Sequence, residues 1–333
     1  MSMLRRFAAT APVLLLALFI FGPALHAQLS TRATITGTVT DSTGAVVPGA
    51  TVIITDEATK VAIQTTTNSG GTYVAPDLNV ATYSVTFSKA GFKTYTVNGV
   101  ELHPATTATA NGVLAVGVQT QTVTVEAAST QVETSTPETS ADIDADEVST
   151  LPMNGRNYQA LAVMMPGVTA SSQGTSLGTG GRSTSSVLSI NGLDVSRSFY
   201  VLDGVWNENT GNMTANSVVP NPDSLEEVRV LQNNFSAQYS LLGSSVIVAQ
   251  TKSGTANWHG AAWEFLRNND LNSKNYFSTT IPPYHQNIFG YNGGGPVYIP
   301  NHYNADKKKT FFFWDEQFEI GRASCRERVC ELV

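Results

Sequence analysis

Cysteine is almost missing from this chain. Two occur in 333 residues, Cys325 and Cys330, and both lie in the last thirteen positions. No disulfide framework can therefore staple the long stretch before them. Charge is scarce too: Asp, Glu, Lys and Arg make up 14%, against a usual ~25%. The net charge is −7 and no basic stripe runs along any segment, which excludes nucleic acid as a partner. The five histidines, His26, His103, His259, His285 and His302, are scattered, and none makes a zinc spacing. No phosphate-cradling loop followed by Lys-Ser/Thr is present. One stretch, Gly174 to Gly178, fits the G-x-S-x-G pattern, but it sits in a Gly/Ser/Thr loop without the strand and helix that a nucleophile elbow needs. The chain is thus not expected to be an enzyme, and no metal or cofactor is implied.

Long apolar runs are missing after residue 27. Before it, Arg5 and Arg6 precede the apolar stretch Phe7 to Phe21, and Ala24-Leu25-His26-Ala27 has the form of a cleavage site. That run is shorter than the ~20 residues a spanning helix needs, so 1–27 reads as a signal peptide rather than an anchor. No Cys follows the site, which excludes a lipoprotein anchor. Any membrane role falls to a peripheral domain or a β-barrel.

Thr, Ser, Asn, Gly and Val take the place of charge, a β-rich and extracytoplasmic mix. Residues 28–126 read as about seven short alternating strands separated by Gly and Asn turns, hence a β-sandwich. Its inward set is Ile35, Val39, Val52, Ile54, Tyr73, Tyr83, Val85 and Phe87. Residues 127–150 are polar and read as a linker. Its acids Asp142, Asp144, Asp146 and Glu147 lack the sixth-position Gly and last acidic ligand of a calcium loop, and read as a solvated turn. Residues 151–255 mix a short helix over Asn157–Met165, with Tyr158, Leu161 and Met165 on one face, with strands near 187–191, 199–203, 226–232 and 245–251. That is an α+β pattern. In 256–320 three aromatic segments alternate. Ala261, Trp263 and Phe265 oppose Gly260, Ala262 and Glu264. Phe289 and Tyr291 oppose Gly290, Asn292 and Gly294. Phe312, Trp314 and Phe318 oppose Phe311, Phe313, Asp315, Gln317 and Glu319. Such segments suit outer-membrane strands; periodicity alone equally allows a soluble sandwich with an aromatic core.

Two sets of residues carry a resemblance. Gly37-Thr-Val-Thr-Asp-Ser-Thr-Gly44, Val47-Pro-Gly-Ala-Thr-Val52, Thr67-Asn-Ser-Gly-Gly-Thr-Tyr73 and Ala90-Gly-Phe92 resemble a carboxypeptidase regulatory-like domain, a transthyretin-like sandwich without catalytic residues. Asn79 and Ala81 stand where that family usually has Pro and Gly. Leu151-Pro-Met-Asn-Gly-Arg-Asn157, Ser189-Ile-Asn-Gly192, Tyr200-Val-Leu-Asp-Gly-Val205, Pro222-Asp-Ser-Leu-Glu-Glu-Val228 and Thr251-Lys-Ser-Gly-Thr255 resemble the plug of a TonB-dependent outer-membrane receptor of the Oar-like type. His259 to Asn268 is similar to its first barrel strand.

The resemblance implies a mainly β protein: a transthyretin-like sandwich, an α+β plug and the first strands of an incomplete transmembrane β-barrel. It implies a cell outer membrane location, with the plug and N-terminal domain on the periplasmic side. Its partners would be TonB, outer-membrane lipid and an imported substrate such as an oligosaccharide or peptide. Thr122, Val123, Thr124, Val125 and Glu126 are the candidate coupling segment, which could equally be the last sandwich strand. Among the plug motif residues Asn191, Gly192, Asp203 and Gly204, the pair Asp203-Gly204 reads as a hairpin turn, or Asp203 as a ligand contact. A soluble secreted or cell-surface adhesin or glycan-binding protein is the alternative. Three strands cannot close a barrel, so residues from 258 onward are expected to find no stable partner. The segment 321–333, which holds both cysteines without strand alternation, reads as a non-native tail on a truncated chain rather than a disulfide loop.

Overall fold

Alternation of buried and half-exposed residues defines the first domain. In the computed structural model, residues 31–323 are described, except 118–121, 127–136, 152, 154–155, 171–187, 209–215, 240–244, 275, 277–278, 280 and 282–283. The expected signal peptide, the first part of the expected linker, the G-x-S-x-G stretch and both cysteines lie outside the described residues. Strands β1 (Ala33–Asp41), β4 (Thr72–Leu78), β7 (Thr107–Thr109) and β8 (Gly112–Leu114) form one sheet centred on β1. The facing sheet runs β3 (Ala62–Thr66), β2 (Thr51–Asp56), β5 (Ala81–Ser88), β6 (Thr94–Leu102) and β9 (Thr122–Glu126). All eight residues expected to point inward are buried.

Local chemistry fixes the turns. The Asp41 carboxylate accepts from the backbone N–H groups of Thr43 and Ala45, and Gly44 supplies the positive φ of 87°. Asn68 does the same for Gly70 and Thr72. The departure at Asn79 is accommodated: the Tyr83 hydroxyl donates to the Asn79 carbonyl at 3.1 Å, and Arg32 donates to the Asn79 side chain at 2.7 Å. Gly37 permits a close approach, because a Cβ there would lie 1.9 Å from the Ala110 carbonyl oxygen. Phe87 packs edge-on against Tyr73 at 5.7 Å, and the buried Tyr73 hydroxyl is satisfied by the Ala110 carbonyl at 2.7 Å.

The second domain starts earlier than the polar composition of 127–150 suggests. Thr139–Asp144 is strand β10, paired along its length with β15 (Leu225–Asn233), and Ala145–Thr150 is helix α1. The four acids part company here. Asp144 caps α1 by accepting from the Glu147 N–H at 2.8 Å, and Asp146 and Glu147 sit in its first turn, where the helix dipole favours them. Asp142 faces Arg229 instead. The expected longer helix is one turn, α2 (Gln159–Ala162), yet Tyr158, Leu161 and Met165 are all buried as its periodicity requires. Strands β11 (Val168–Ala170) and β12 (Leu188–Ile190) pair as a two-stranded ribbon. The main sheet has the order β10, β15, β16 (Ser245–Thr251), β13 (Ser198–Leu202), β14 (Val205–Trp206), with only β13 and β16 parallel. Val246 to Ala249 are buried without alternation, because apolar clusters cover both faces of the sheet.

Strands β17 (His259–Asn268), β18 (Tyr284–Pro296) and β19 (Phe311–Ala323) form an antiparallel sheet. One expectation is corrected here. The strands of this sheet do have a partner, since the sheet seats on the second domain. Strand pairing reaches Gly321, Arg322 and Ala323, opposite Gln286, His285 and Tyr284, while 324–333 lie outside the described residues. The basic turn Lys307–Lys309 is organised by Asn304, which bonds the N–H groups of Lys308 and Lys309 and the carbonyls of Val297 and Thr310.

Phe87→Ala is expected to cost the sandwich about 3–5 kcal/mol. Hydrogen exchange should show protection lost across β1, β5 and β6 while the β15 and β16 amides keep theirs.

Candidate functional site

The register of β17, β18 and β19 sorts their side chains into two faces. Ala261, Asn292 and Asp315 lie in one row, and Phe265, Ile288 and Glu319 in another on the same face. This face meets the second domain. On it, Ile288 and Gln286 are buried. The opposite face holds Trp258, Leu266, Phe289, Tyr291, Phe312, Trp314, Phe318 and Ile320, with Trp314 60% and Ile320 64% exposed. The alternation expected for β18 and β19 is present. For β17 the expected aromatic face is turned the other way: Trp263 and Phe265 point toward the second domain, while Ala262 and Glu264 share the outer face. Phe265 is held there by the guanidinium of Arg156, 4.1 Å from its ring centroid.

Arg156 sits at the centre of this seam. Its side chain is nearly buried and pairs with the Asp223 carboxylate. Burial pulls the guanidinium down from its ordinary range, while Asp223 and then Asp315 oppose that. Asn221 ties the two acids together. Its side-chain oxygen accepts from the Asp223 N–H at 2.7 Å, and its side-chain NH2 donates to the Asp315 carboxylate. Asn292 adds a bond to the Asp223 carbonyl at 3.4 Å. A buried charge with matched partners locks an orientation more than it adds net stability.

The plug motif residues make turns. Asp203 and Gly204 both have positive φ, 49° and 77°, between β13 and β14. The Asp203 carboxylate accepts from the Gln250 amide and from the N–H and hydroxyl of Thr251, at 2.8–2.9 Å. That arrangement is the hairpin turn, with the side chain committed to β16. Asn191 and Gly192 form a second such turn, φ 55° and 75°, and the Asn191 N–H donates to the Gly167 carbonyl at 2.8 Å. The candidate coupling segment Thr122–Glu126 is β9, paired in parallel with β6 from Thr94 to Asn98.

One cluster escaped the sequence. Arg229, 1% exposed, lies in mid-β15. It donates to Glu138 at 3.1 Å, to Ser140 at 2.8 Å and to the Pro104 carbonyl of the sandwich at 3.3 Å, and lies 3.3 Å from Asp142. Beside it His103 is hydrogen-bonded to Glu227 at 2.9 Å. His103, Asp142 and Glu227 offer ligand atoms within 4.8 Å of one another. The Arg229 guanidinium supplies positive charge beside them. His103 and Glu227 are 124 positions apart, so no local spacing announces them.

Comparison with known proteins follows this division of the chain. Residues 34–115 match a carboxypeptidase regulatory-like domain, 130–244 a TonB-dependent receptor plug domain, and 250–324 an outer membrane beta barrel domain. The chain thus carries a plug domain and an outer-membrane barrel segment of the kind found in TonB-dependent receptors. It is similar to the TonB-dependent transporter Oar of Myxococcus xanthus, 24% identical over 273 residues, which is 78% of this chain and 24% of Oar. It thus spans about a quarter of that relative's length. Among solved structures it is similar to the siderophore receptor PirA of Acinetobacter baumannii (20% identity, 47% of this chain and 22% of PirA, TM-score 0.34). It is also similar to the outer membrane transporter YddB of Escherichia coli (14% identity, 48% and 24%, TM-score 0.38). At these TM-scores the likenesses add nothing to the assignment. The second domain is thus the plug domain, and the last three strands fall in the outer membrane beta barrel domain.

Arg156→Met should leave Asp223 and Asp315 uncompensated and cost the plug–barrel seam about 3–5 kcal/mol. Limited proteolysis should then cut the plug faster, with the sandwich as resistant as before. Unchanged cutting would mean that the pair does not hold the seam.

Proposed function

We propose that this receptor imports a large or scarce substrate, such as an oligosaccharide or a peptide, across the outer membrane, with the plug gating the barrel and TonB supplying the energy. The observation that carries the reading is the two-sided sheet of β17 to β19. Its inner face is polar or charged where it meets the plug at Asn292 and Asp315, and its outer face is aromatic and open. A polar, turn-rich plug held to a barrel wall by ionic and amide contacts can be released without unmaking an apolar core. The outer face suits contact with lipid. A soluble adhesin or glycan-binding module would leave that apolar face in water.

In this reading the sandwich and plug lie on the periplasmic side. The coupling segment is Thr122–Glu126. It ends the sheet order, so among the described residues one side of its backbone is open to a further strand. Strand addition by TonB would use that open edge. Substituting Val123 or Val125 with Pro removes a ladder donor and fixes φ. Each substitution should abolish energised uptake while ligand binding to cells persists. Uptake at the unsubstituted rate in both variants would sink the coupling role and leave β9 as a sandwich strand alone.

A further inference from the structure

The sandwich and the plug meet at a seam that the transport reading does not use. Three kinds of contact build it. The Ala256 N–H donates to the Ala58 carbonyl at 3.2 Å, and the Thr31 hydroxyl donates to Gln250 at 3.2 Å. Ala105 packs against the apolar cluster of Phe199, Val201, Leu231 and Val248 on the plug sheet. His103 and the Pro104 carbonyl reach Glu227 and Arg229, neighbours on β15. The apolar share is small. Most of the seam is polar, and its centre is a histidine bonded to a buried carboxylate.

We propose that the sandwich is a reversible cap on the plug, and that His103 is its proton-sensitive fastener. The groups facing His103 are Glu227 and Arg229 from β15 and Asp142 from β10, with Glu138 just before β10 paired to Arg229. Glu138, Asp142 and Glu227 outnumber Arg229, and protonation of His103 adds a second positive charge that offsets part of the excess. The Glu227 hydrogen bond raises the His103 pKa above its ordinary 6.5. The charged imidazolium therefore adds to docking fully below that ordinary value, and its contribution is lost as pH rises through the raised one. Burial raises Glu227 as well, so docking an ionised Glu227 grows costlier in the same direction. Acidification closes the cap and alkalinisation loosens it. This inference stands apart from the identity of any substrate and from the role of β9.

Spin labels at two exposed positions test it, Val74→Cys on the sandwich and Ser149→Cys on α1, in the full chain in detergent with Cys325→Ser and Cys330→Ser. Pulsed dipolar spectra are compared at about pH 5.5 and about pH 8.5, either side of the ordinary histidine range. A single short distance at the lower pH, joined by a longer population at the higher pH, is expected. His103→Gln, which cannot take a charge, should remove that pH dependence. Glu227→Gln checks the partner and should flatten the response likewise. The same distribution at both pH values in the parent, or an undiminished pH response in His103→Gln, overturns the proposal.

Discussion

A guanidinium taken out of water must find its counter-charges within a few ångströms, and both seams of this protein are built around that demand. The cost of burying such an ion is several kcal/mol, and only well-placed carboxylates and carbonyls return it. Arg229 gathers Glu138, Ser140 and the Pro104 carbonyl around strand β15 of the plug. Arg156 gathers Asp223 and the ring of Phe265 where the plug meets the barrel strands. In each case the partners come from different domains or distant elements. Charge pairs fall off steeply with misplacement, so they set where one part sits on another. The apolar clusters of the sandwich and of the plug hold each part together internally.

That split decides how readily the parts come away from one another. A seam made of apolar area is stabilised in proportion to the area buried, and it resists separation at every pH. Seams made of ion pairs and amide bonds exchange protein contacts for water contacts at modest net cost. Parts joined in this way can separate without disturbing the apolar core inside each.

Much of the fold was legible because its signals are short-range. Strict alternation over β1, β2 and β5, with Gly and Asn at the turns, marked the inward set of the sandwich, from Ile35 to Phe87. Asp203-Gly204 announced its hairpin because the two residues best suited to positive φ stand together. What was not legible is long-range or two-sided. The polar composition of Thr139–Asp144 hid an edge strand, since only one of its faces is buried and Asp142 is spoken for by Arg229. The aromatic face of β17 read outward because a ring beside small residues resembles a lipid face. Nothing in its own sequence says that Arg156 waits on the other side. The pairing of His103 with Glu227 depends on how two domains dock, and periodicity carries no information about docking.

The parallel pairing of β9 with β6 sets how that strand would respond to force. Five positions, Thr122 to Glu126, are matched in register, and their bonds slant along the strand axis as parallel ladders do. A load applied along β9 stretches all of these bonds together, so the strand holds until the whole row shears. The same load applied across the sheet opens the bonds one after another from one end, at a far lower threshold. The angle at which β9 is gripped thus decides whether the sandwich moves as a rigid handle or sheds its last strand.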